Sequence, residues 1–272
     1  MDLKTSLIIT TYNWPEALAA VLDTVSGQNL LPHEVVIADD GSKPPTTEII
    51  ERYQKDFPVP LHHVWHPDQG YQAAKIRNKA VMRASGDYLV FLDSDCLLRS
   101  NYIAQHQRLA RPNHFISGNR VLLSQAYTEK VLSQRIDVTE MKPFAFSAED
   151  INRRWSLLPI PMGVLRHTKP NSWKGVKACN MSMFTRDFVE ANGFEERFEG
   201  WGYEDSDLIV RLLNNGVRRI SGRFAVTVIH LWHNTYKSLE EEGNWRRLQT
   251  TITDKRRTAT LGISQYCARN NI

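Results

Sequence analysis

Hydrophobic and polar positions follow two periods along the first hundred residues. Short runs at 7–9, 35–38, 61–64 and 88–92 read as strands, the first of them wholly aliphatic. Helical spacing separates them. Leu18, Val21, Leu22 and Val25 fall at i, i+3, i+4 and i+7, one face of a helix. Asn13 is placed to cap that helix, with Pro15 in its first turn. Residues 46–53 and 72–84 read as two more helices, the second closed by Ser85-Gly86. Strand–helix alternation of this kind predicts an α/β fold with a mostly parallel central sheet and flanking helices.

The second half is less regular. A strand is expected at 115–123. Residues 124–173 carry prolines at 143, 159, 161 and 170 and read as helices and a long, mobile loop. A strand at 178–184 and a short helix at 186–191, closed by Asn192-Gly193, come next. A helix at 205–214 turns Leu208, Leu212 and Leu213 inward, and a strand follows at 224–231. Ser238 and Glu241 fit a capping box at the start of a tail helix.

Three of the early strands end in polar groups: Thr10-Thr11-Tyr12-Asn13, Asp39-Asp40 and Asp93-Ser94-Asp95. Parallel strands would bring all three to one edge, where open α/β sheets bind ligands. Asp93 and Asp95, at i and i+2, can face a common ion where the chain leaves strand geometry. Their oxygen ligands suit Mg²⁺ or Mn²⁺. A solvated turn explains the pair equally well when taken alone. In GWGYEDSD, residues 200–207, two glycines bracket Trp201 and an acid pair, Glu204-Asp205, opens a helix. A helix N-terminus favours ionised carboxylates. One of them can act as a general base, and capping alone is the simpler alternative.

Charge and cysteine content narrow the function classes. The tail, 236–272, holds seven Lys/Arg against four Asp/Glu, a net +3, which leaves +1 of the chain's +4 for the body. A near-neutral body excludes a nucleic-acid footprint spread across the fold. In the tail, Trp245, Leu248 and Ile252 share a helical face among Arg246, Arg247, Lys255, Arg256 and Arg257. That composition suits peripheral contact with an anionic membrane, or packing on the domain. Cys96, Cys179 and Cys267 show no paired spacing, which points to reduced thiols. With no membrane-length apolar run and no secretory leader pattern, the expected location is the cytoplasm or the inner membrane face. Some of the seven tryptophans are expected to line a cleft.

The segments SLIITTYNWPEAL, VVIADDGS, GYQAAKIRNKA and FLDSDC resemble the nucleotide-sugar half of family 2 glycosyltransferases of the GT-A fold. FEGWGYEDSDLIVRLLNNG is similar to the acceptor-side segment of β1,4-galactosyltransferases, polypeptide GalNAc-transferases and bacterial chondroitin polymerases. The resemblance covers most of residues 7–233. It implies one catalytic GT-A domain, with a nucleotide-sugar half at 1–115, an acceptor half at 116–235 and a basic helical tail at 236–272.

The resemblance also implies site roles. Thr10, Tyr12 and Asp40 would hold the uridine, with Tyr12 near the base and Asp39 close by. Lys75, Arg77 and Asn78 would lie along the diphosphate or ribose. Asp93, Ser94 and Asp95 would form the D-x-D turn, with Asp93 and Asp95 on a Mn²⁺ or Mg²⁺ ion. His230 or His233 would complete the metal site, each being equally readable as a structural histidine. Asp205 would deprotonate the acceptor hydroxyl and Glu204 would orient it. Trp201, Gly202 and Tyr203 would line the acceptor site, although the relatives often carry Gly where Tyr203 stands. The implied activity is inverting transfer of a hexose or N-acetylhexosamine from a UDP-sugar to a saccharide or lipid-linked acceptor, in surface polysaccharide synthesis. The alternatives are a non-catalytic nucleotide-sugar-binding module and a sugar-nucleotide nucleotidyltransferase. The Gly-rich triphosphate loop that the latter needs is missing near the first strand.

Overall fold

A computed structural model describes residues 3–234 and 241–267, the last of these by its backbone only. The first half runs β1 (Thr5–Thr11), α1 (Pro15–Ser26), β2 (Glu34–Asp39), α2 (Pro44–Gln54), β3 (Leu61–Trp65), α3 (Ala73–Arg83) and β4 (Tyr88–Asp93). Then come β5 (Cys96–Leu97), α4 (Tyr102–Leu109), β6 (His114–Ser117), β7 (Asn119–Leu122) and α5 (Gln125–Gln134). Three single 3-10 turns occupy the proline-rich stretch. After them lie β8 (Asn180–Phe184), α6 (Thr185–Glu190), α7 (Glu204–Asn214), β9 (Arg218–Ser221), β10 (Thr227–His230), α8 (Glu241–Thr253) and α9 (Ser264–Cys267).

The main sheet has seven strands in the order β3-β2-β1-β4-β8-β6-β9. All neighbours are parallel except β8, which runs against both β4 and β6. The chain winds outward from β1 to β3, then returns to place β4 on the other side of β1. That reversal opens a crevice beyond the carboxyl ends of β1 and β4. Alternate residues of each strand face opposite sides. Leu7, Ile9, Val35, Ile37, Val90 and Leu92 pack on the α1 side, against Leu18, Val21, Leu22 and Val25. Ile8, Val36, Ala38, Leu89 and Phe91 face the other side, with Ile76 of α3 and Leu208, Ile209 and Leu212 of α7.

Three expectations need correction. Asn13 does not cap α1. It has φ 48°, its backbone N–H donates to Ser42 Oγ, and its Oδ1 accepts from Lys43 N at 2.8 Å. The expected strand at 115–123 is two strands in two sheets, broken at Gly118. A Cβ there would collide with the Asn180 side chain, so the two chains approach as only glycine allows. β9 was not expected, because only Ile220 of its four residues is buried.

The tail helix α8 packs on the domain. Leu248 is buried against Phe198 and Val210. The Thr251 hydroxyl donates to Asp207 Oδ1 at 2.6 Å, and Asn244 Nδ2 donates to the Glu199 carbonyl. Of the expected apolar face only Leu248 is buried. The inward side of α8 is Asn244, Leu248 and Thr251, and Trp245 and Ile252 stay exposed. The Ser238 half of the capping box, and Lys237, Glu240 and Arg269 of the basic tail, lie outside the described residues. Cys96 and Cys179 are free, buried thiols, and the side chain of Cys267 is outside the description. No helix among the described residues is long and apolar enough to cross a membrane.

Candidate active site

Strand register assembles the site. Thr10 stands opposite Asp93 across β1 and β4, and Thr11 opposite Asp39 across β1 and β2. Just past the strand ends, Ser94 N and Asp40 N donate to the carbonyls of Thr10 and Thr11. All three polar strand ends therefore share one edge of the sheet.

Arg77 of α3 reaches into this edge and joins three elements. Its Nε donates to Thr10 Oγ1 at 2.9 Å, Nη2 to Asp93 Oδ1 at 3.1 Å, and Nη1 to Glu204 Oε1 at 3.0 Å. The guanidinium is buried, so it acts from inside the protein rather than as an exposed diphosphate contact. Asn78 is fully buried and spans to the Phe194 backbone and Glu196, so it holds the fold rather than a ribose. Lys75, half-buried, donates to Gln72 Oε1.

Asp39 and Asp40 are also committed to protein partners. Asp39 accepts from Ser42 N at 2.8 Å and lies 3.0 Å from His63 Nε2. Asp40 accepts from Gln72 N at 2.8 Å and pairs with His66 Nε2 at 2.6 Å. Tyr12 remains half-exposed, its hydroxyl donating to Asp68 Oδ2 at 2.9 Å. That bond, with burial second, raises the Tyr12 pKa. Sequence reading missed His63, His66 and Asp68, because none lies in a segment whose spacing marks a site, and gave Cys96 no site role although it closes FLDSDC.

The small second sheet, β5-β10-β7, builds the other flank. Its register sets His230 opposite Cys96, and Leu231 N donates to the Asp95 carbonyl at 2.8 Å. His230 Nε2 lies 3.5 Å from Asp95 Oδ2, and His233 Nε2 lies 3.2 Å from it. Each Nδ1 meets a backbone carbonyl, Leu231 at 2.6 Å and Asn234 at 2.9 Å. A carbonyl can only accept, so each ring holds a proton on Nδ1 and turns its Nε2 toward Asp95. Two lone pairs facing a carboxylate need a proton or a cation between them. Asp95, Cys96 and His230 each offer a donor atom within 4.8 Å of the others. Carboxylate and imidazole fit a Mn²⁺-type ion. Burial opposes the Asp95 charge, yet His230, His233 and Cys96 together hold its carboxyl below the usual range. Burial also lowers His230, whereas the Asp95 bond raises His233. Asp93 is raised, burial and the Asp95 charge outweighing Arg77.

Opposite this flank, α7 begins at the acid pair. Gly200, Gly202 and Tyr203 all have positive φ, at 68°, 115° and 71°, which makes the bend that aims Trp201 outward. Gly200 N donates to the Tyr71 carbonyl, tying the bend to the lead-in of α3. Glu204 and Asp205 are both nearly buried. Asp205 Oδ1 accepts from Ser206 N at 2.6 Å and from its hydroxyl at 3.2 Å, while Oδ2 accepts from Ala178 N at 3.3 Å. Burial first, then the Asp205 charge, push the Glu204 carboxyl above its usual range against the pull of Arg77. Lys177 Nζ stands 5.9 Å from the centroid of the Trp201 ring, an aromatic face that suits a sugar ring.

The topology is an open, mostly parallel α/β sheet with its polar site at one edge, and comparison with known proteins identifies the fold. The structure is similar to a Pyrobaculum calidifontis mannosyltransferase solved with GDP-Man and Mn²⁺ (18% identity, TM-score 0.56, 93% of this chain and 62% of that one). It is similar to S. aureus TarS residues 1–349 with UDP-GlcNAc (16%, TM-score 0.61, 97% and 69%) and to GalNAc-T7 with UDP, GalNAc and Mn²⁺ (16%, TM-score 0.63, 90% and 47%). The fold is thus GT-A. Residues 6–191 match the model of glycosyl transferase family 2, and 164–234 match that of the N-terminal domain of galactosyltransferase. The chain belongs to glycosyl transferase family 2. It is 28% identical over 226 residues to a validoxylamine A glucosyltransferase of Streptomyces hygroscopicus subsp. limoneus, covering 78% of this chain and 48% of that protein. It is 26% identical over 232 residues to a Pasteurella multocida chondroitin synthase, covering 79% and 23%. The chain therefore spans about half or less of the length of these two relatives.

Proposed function

We propose that the protein is an inverting glycosyltransferase that moves a hexose or N-acetylhexosamine from a UDP-sugar to a saccharide or lipid-linked acceptor, for surface polysaccharide synthesis. One observation carries the reading. Arg77 joins the Asp93 turn to the Glu204-Asp205 pair, so a diphosphate flank and an acid flank meet across one crevice. A binding module would need one flank only.

In this reading the diphosphate lies over β1 and β4, near Asp93, Asp95, His230 and His233. Asp95, His230 and His233 would hold a divalent cation, Mn²⁺ or Mg²⁺, with Asp93 beside them. Such an ion supplies positive charge to a departing diphosphate. Asp205 takes the proton of the attacking acceptor hydroxyl, its oxygens held in place by Ser206 and the Ala178 N–H. Glu204 is fixed by Arg77 and orients the acceptor. Trp201 would wall the sugar, and the half-exposed Tyr12 ring would stack on the uracil base. Asp39 and Asp40 shape the base pocket through His63 and His66. The two halves at 1–115 and 116–235 contribute to one sheet, since β4 pairs with β8.

The test is a panel of UDP-sugars with Mn²⁺, scored by UDP release with and without simple saccharides. Release that needs both a metal and one donor sugar supports the proposal. Donor binding without release favours a binding module. Pyrophosphate-dependent nucleoside triphosphate formation favours a nucleotidyltransferase.

A further inference from the structure

The near-neutral body hides a local concentration of charge. Residues 151–177 hold six Lys/Arg (Arg153, Arg154, Arg166, Lys169, Lys174 and Lys177) and not one Asp or Glu. The whole chain carries +4, so removing these six positive charges leaves −2 for everything else. The stretch thus outweighs the basic tail.

The same stretch presents apolar side chains to solvent. Val164 is 85% exposed and Leu165 58%, as neighbours on one 3-10 turn, with Ile160 and Trp155 exposed before them. Phe144, 77% exposed, stacks edge-on against Trp155 at 5.4 Å. Exposed apolar residues scattered singly need no explanation, but adjacent ones within a cationic stretch do. Nor do they sit on a loose loop. Arg166 Nη1 donates to the carbonyls of Ser221 and Arg223, and Arg219 ties the carbonyls of Ser172 and Lys174. Arg219 N donates to the Pro170 carbonyl, and Leu157 is buried. The backbone is fastened to β9 while Val164 and Leu165 project away from it.

We propose that this surface, centred on Val164 and Leu165, docks the protein on a membrane bearing anionic lipids. Its exposed cations, Arg153, Lys169, Lys174 and Lys177, would face lipid phosphates. Its aliphatic side chains would enter the headgroup–acyl boundary. A second copy of the chain fits poorly, because it would bring six positive charges against six. An anionic polysaccharide would use the cations and leave Val164 and Leu165 in water. The stretch also ends beside the candidate active site. Lys177 stands over Trp201, and the next residue, Ala178, donates to Asp205. Docking here would bring the acceptor side of the crevice to the membrane face.

Binding can be measured without turnover, so the inference stands or falls apart from the transferase reading. The full chain is sedimented with vesicles of phosphatidylcholine alone, and of phosphatidylcholine with phosphatidylglycerol. Binding to the anionic vesicles only, weakening as salt is raised, is expected. The double variants Val164→Asp with Leu165→Asp, and Lys169→Glu with Lys174→Glu, should each weaken binding by about tenfold or more. Unchanged melting temperatures would show that both remain folded. Lys255→Glu with Arg257→Glu, in the tail, should bind as the parent does. The proposal is overturned by no sedimentation at low salt, by undiminished binding of the Val164/Leu165 variant, or by loss of binding in the tail variant alone. Retention on dextran sulfate with no vesicle binding would assign the surface to a polysaccharide. Self-association on gel filtration that the Val164/Leu165 variant abolishes, with no vesicle binding, would assign it to a second copy.

Discussion

Arg77 and Glu204 lie 127 residues apart in the chain and 3.0 Å apart in the fold. Both are nearly buried, and the same guanidinium also holds Asp93 at 3.1 Å. One cation thus balances acids from the two flanks of the crevice. Burial penalises each of these charges, so each depends on the others for its ionised form.

Removing that cation should be costly. Arg77→Leu leaves Glu204 and Asp93 buried without their partner, and a loss of about 3–5 kcal/mol in urea unfolding is expected. Arg77→Lys keeps the charge but not the three-way fork, so it should restore stability better than it restores turnover. A loss below about 1 kcal/mol for Arg77→Leu would show that water reaches and solvates the two acids.

Asp205→Asn keeps the size and much of the polarity at the start of α7 but removes the proton acceptor. The expected fall in kcat is about 10²–10⁴, with the KM for the donor little changed. Turnover near that of the parent would transfer the base to Glu204.

The strand–helix alternation up to β4 was legible because three of the four strands, β1, β2 and β4, carry continuous apolar runs and α1 keeps one apolar face. The three polar strand ends were legible for the same reason, since parallel register forces them to one edge. Other features depend on contacts that no local pattern records. The expected strand at 115–123 divides between two sheets at Gly118, where the Asn180 side chain leaves no room for a Cβ. Arg77 and Asn78 are adjacent on an apparently exposed helix face, yet both are buried by segments more than a hundred residues later. The orientation of His230 and His233 comes from two backbone carbonyls, which sequence does not display.

The metal site makes a separate prediction. Titration of Mn²⁺ followed by electron paramagnetic resonance should show binding to the parent. Asp95→Ala should abolish that binding, and His233→Ala should weaken it by about 10–100-fold, as loss of a ligand or its support does. EDTA should stop turnover. Full activity in EDTA, with no Mn²⁺ bound by the parent, would reject the site.

His106 should make folding pH-dependent. It is fully buried, its Nδ1 2.7 Å from Ser182 Oγ and its Nε2 without a hydrogen-bond partner among the described residues. Burial lowers its pKa from 6.5 to about 3. The unfolded chain therefore binds this proton first as pH falls. The stability contribution is complete above about pH 6.5 and is lost progressively down toward about pH 3, at up to about 1.4 kcal/mol per pH unit. Between about pH 6.5 and 5 the parent should lose about 2 kcal/mol that His106→Gln does not. Parallel stability curves for the two proteins would contradict this.

Tyr203 replaces the glycine often found in the similar acceptor segments, and the tail helix accounts for it. Its φ of 71° strains a side-chain-bearing residue by about 1 kcal/mol. Its ring meets Trp245 of α8 at 5.3 Å, a contact worth about 0.5–1.5 kcal/mol. The two terms nearly cancel, so Tyr203→Gly should change overall stability little. Trp245→Ala loses the ring contact with no strain relieved and should destabilise. In the Tyr203→Gly background, however, Trp245→Ala should cost less by about 0.5–1.5 kcal/mol, a coupling readable by a double-mutant cycle. Tyr203→Gly should also quicken proteolysis of α8, since one of its anchors on the acceptor bend is gone. Additivity within about 0.3 kcal/mol would mean that Tyr203 and Trp245 act independently, leaving Leu248 and Thr251 to hold the tail against the catalytic domain.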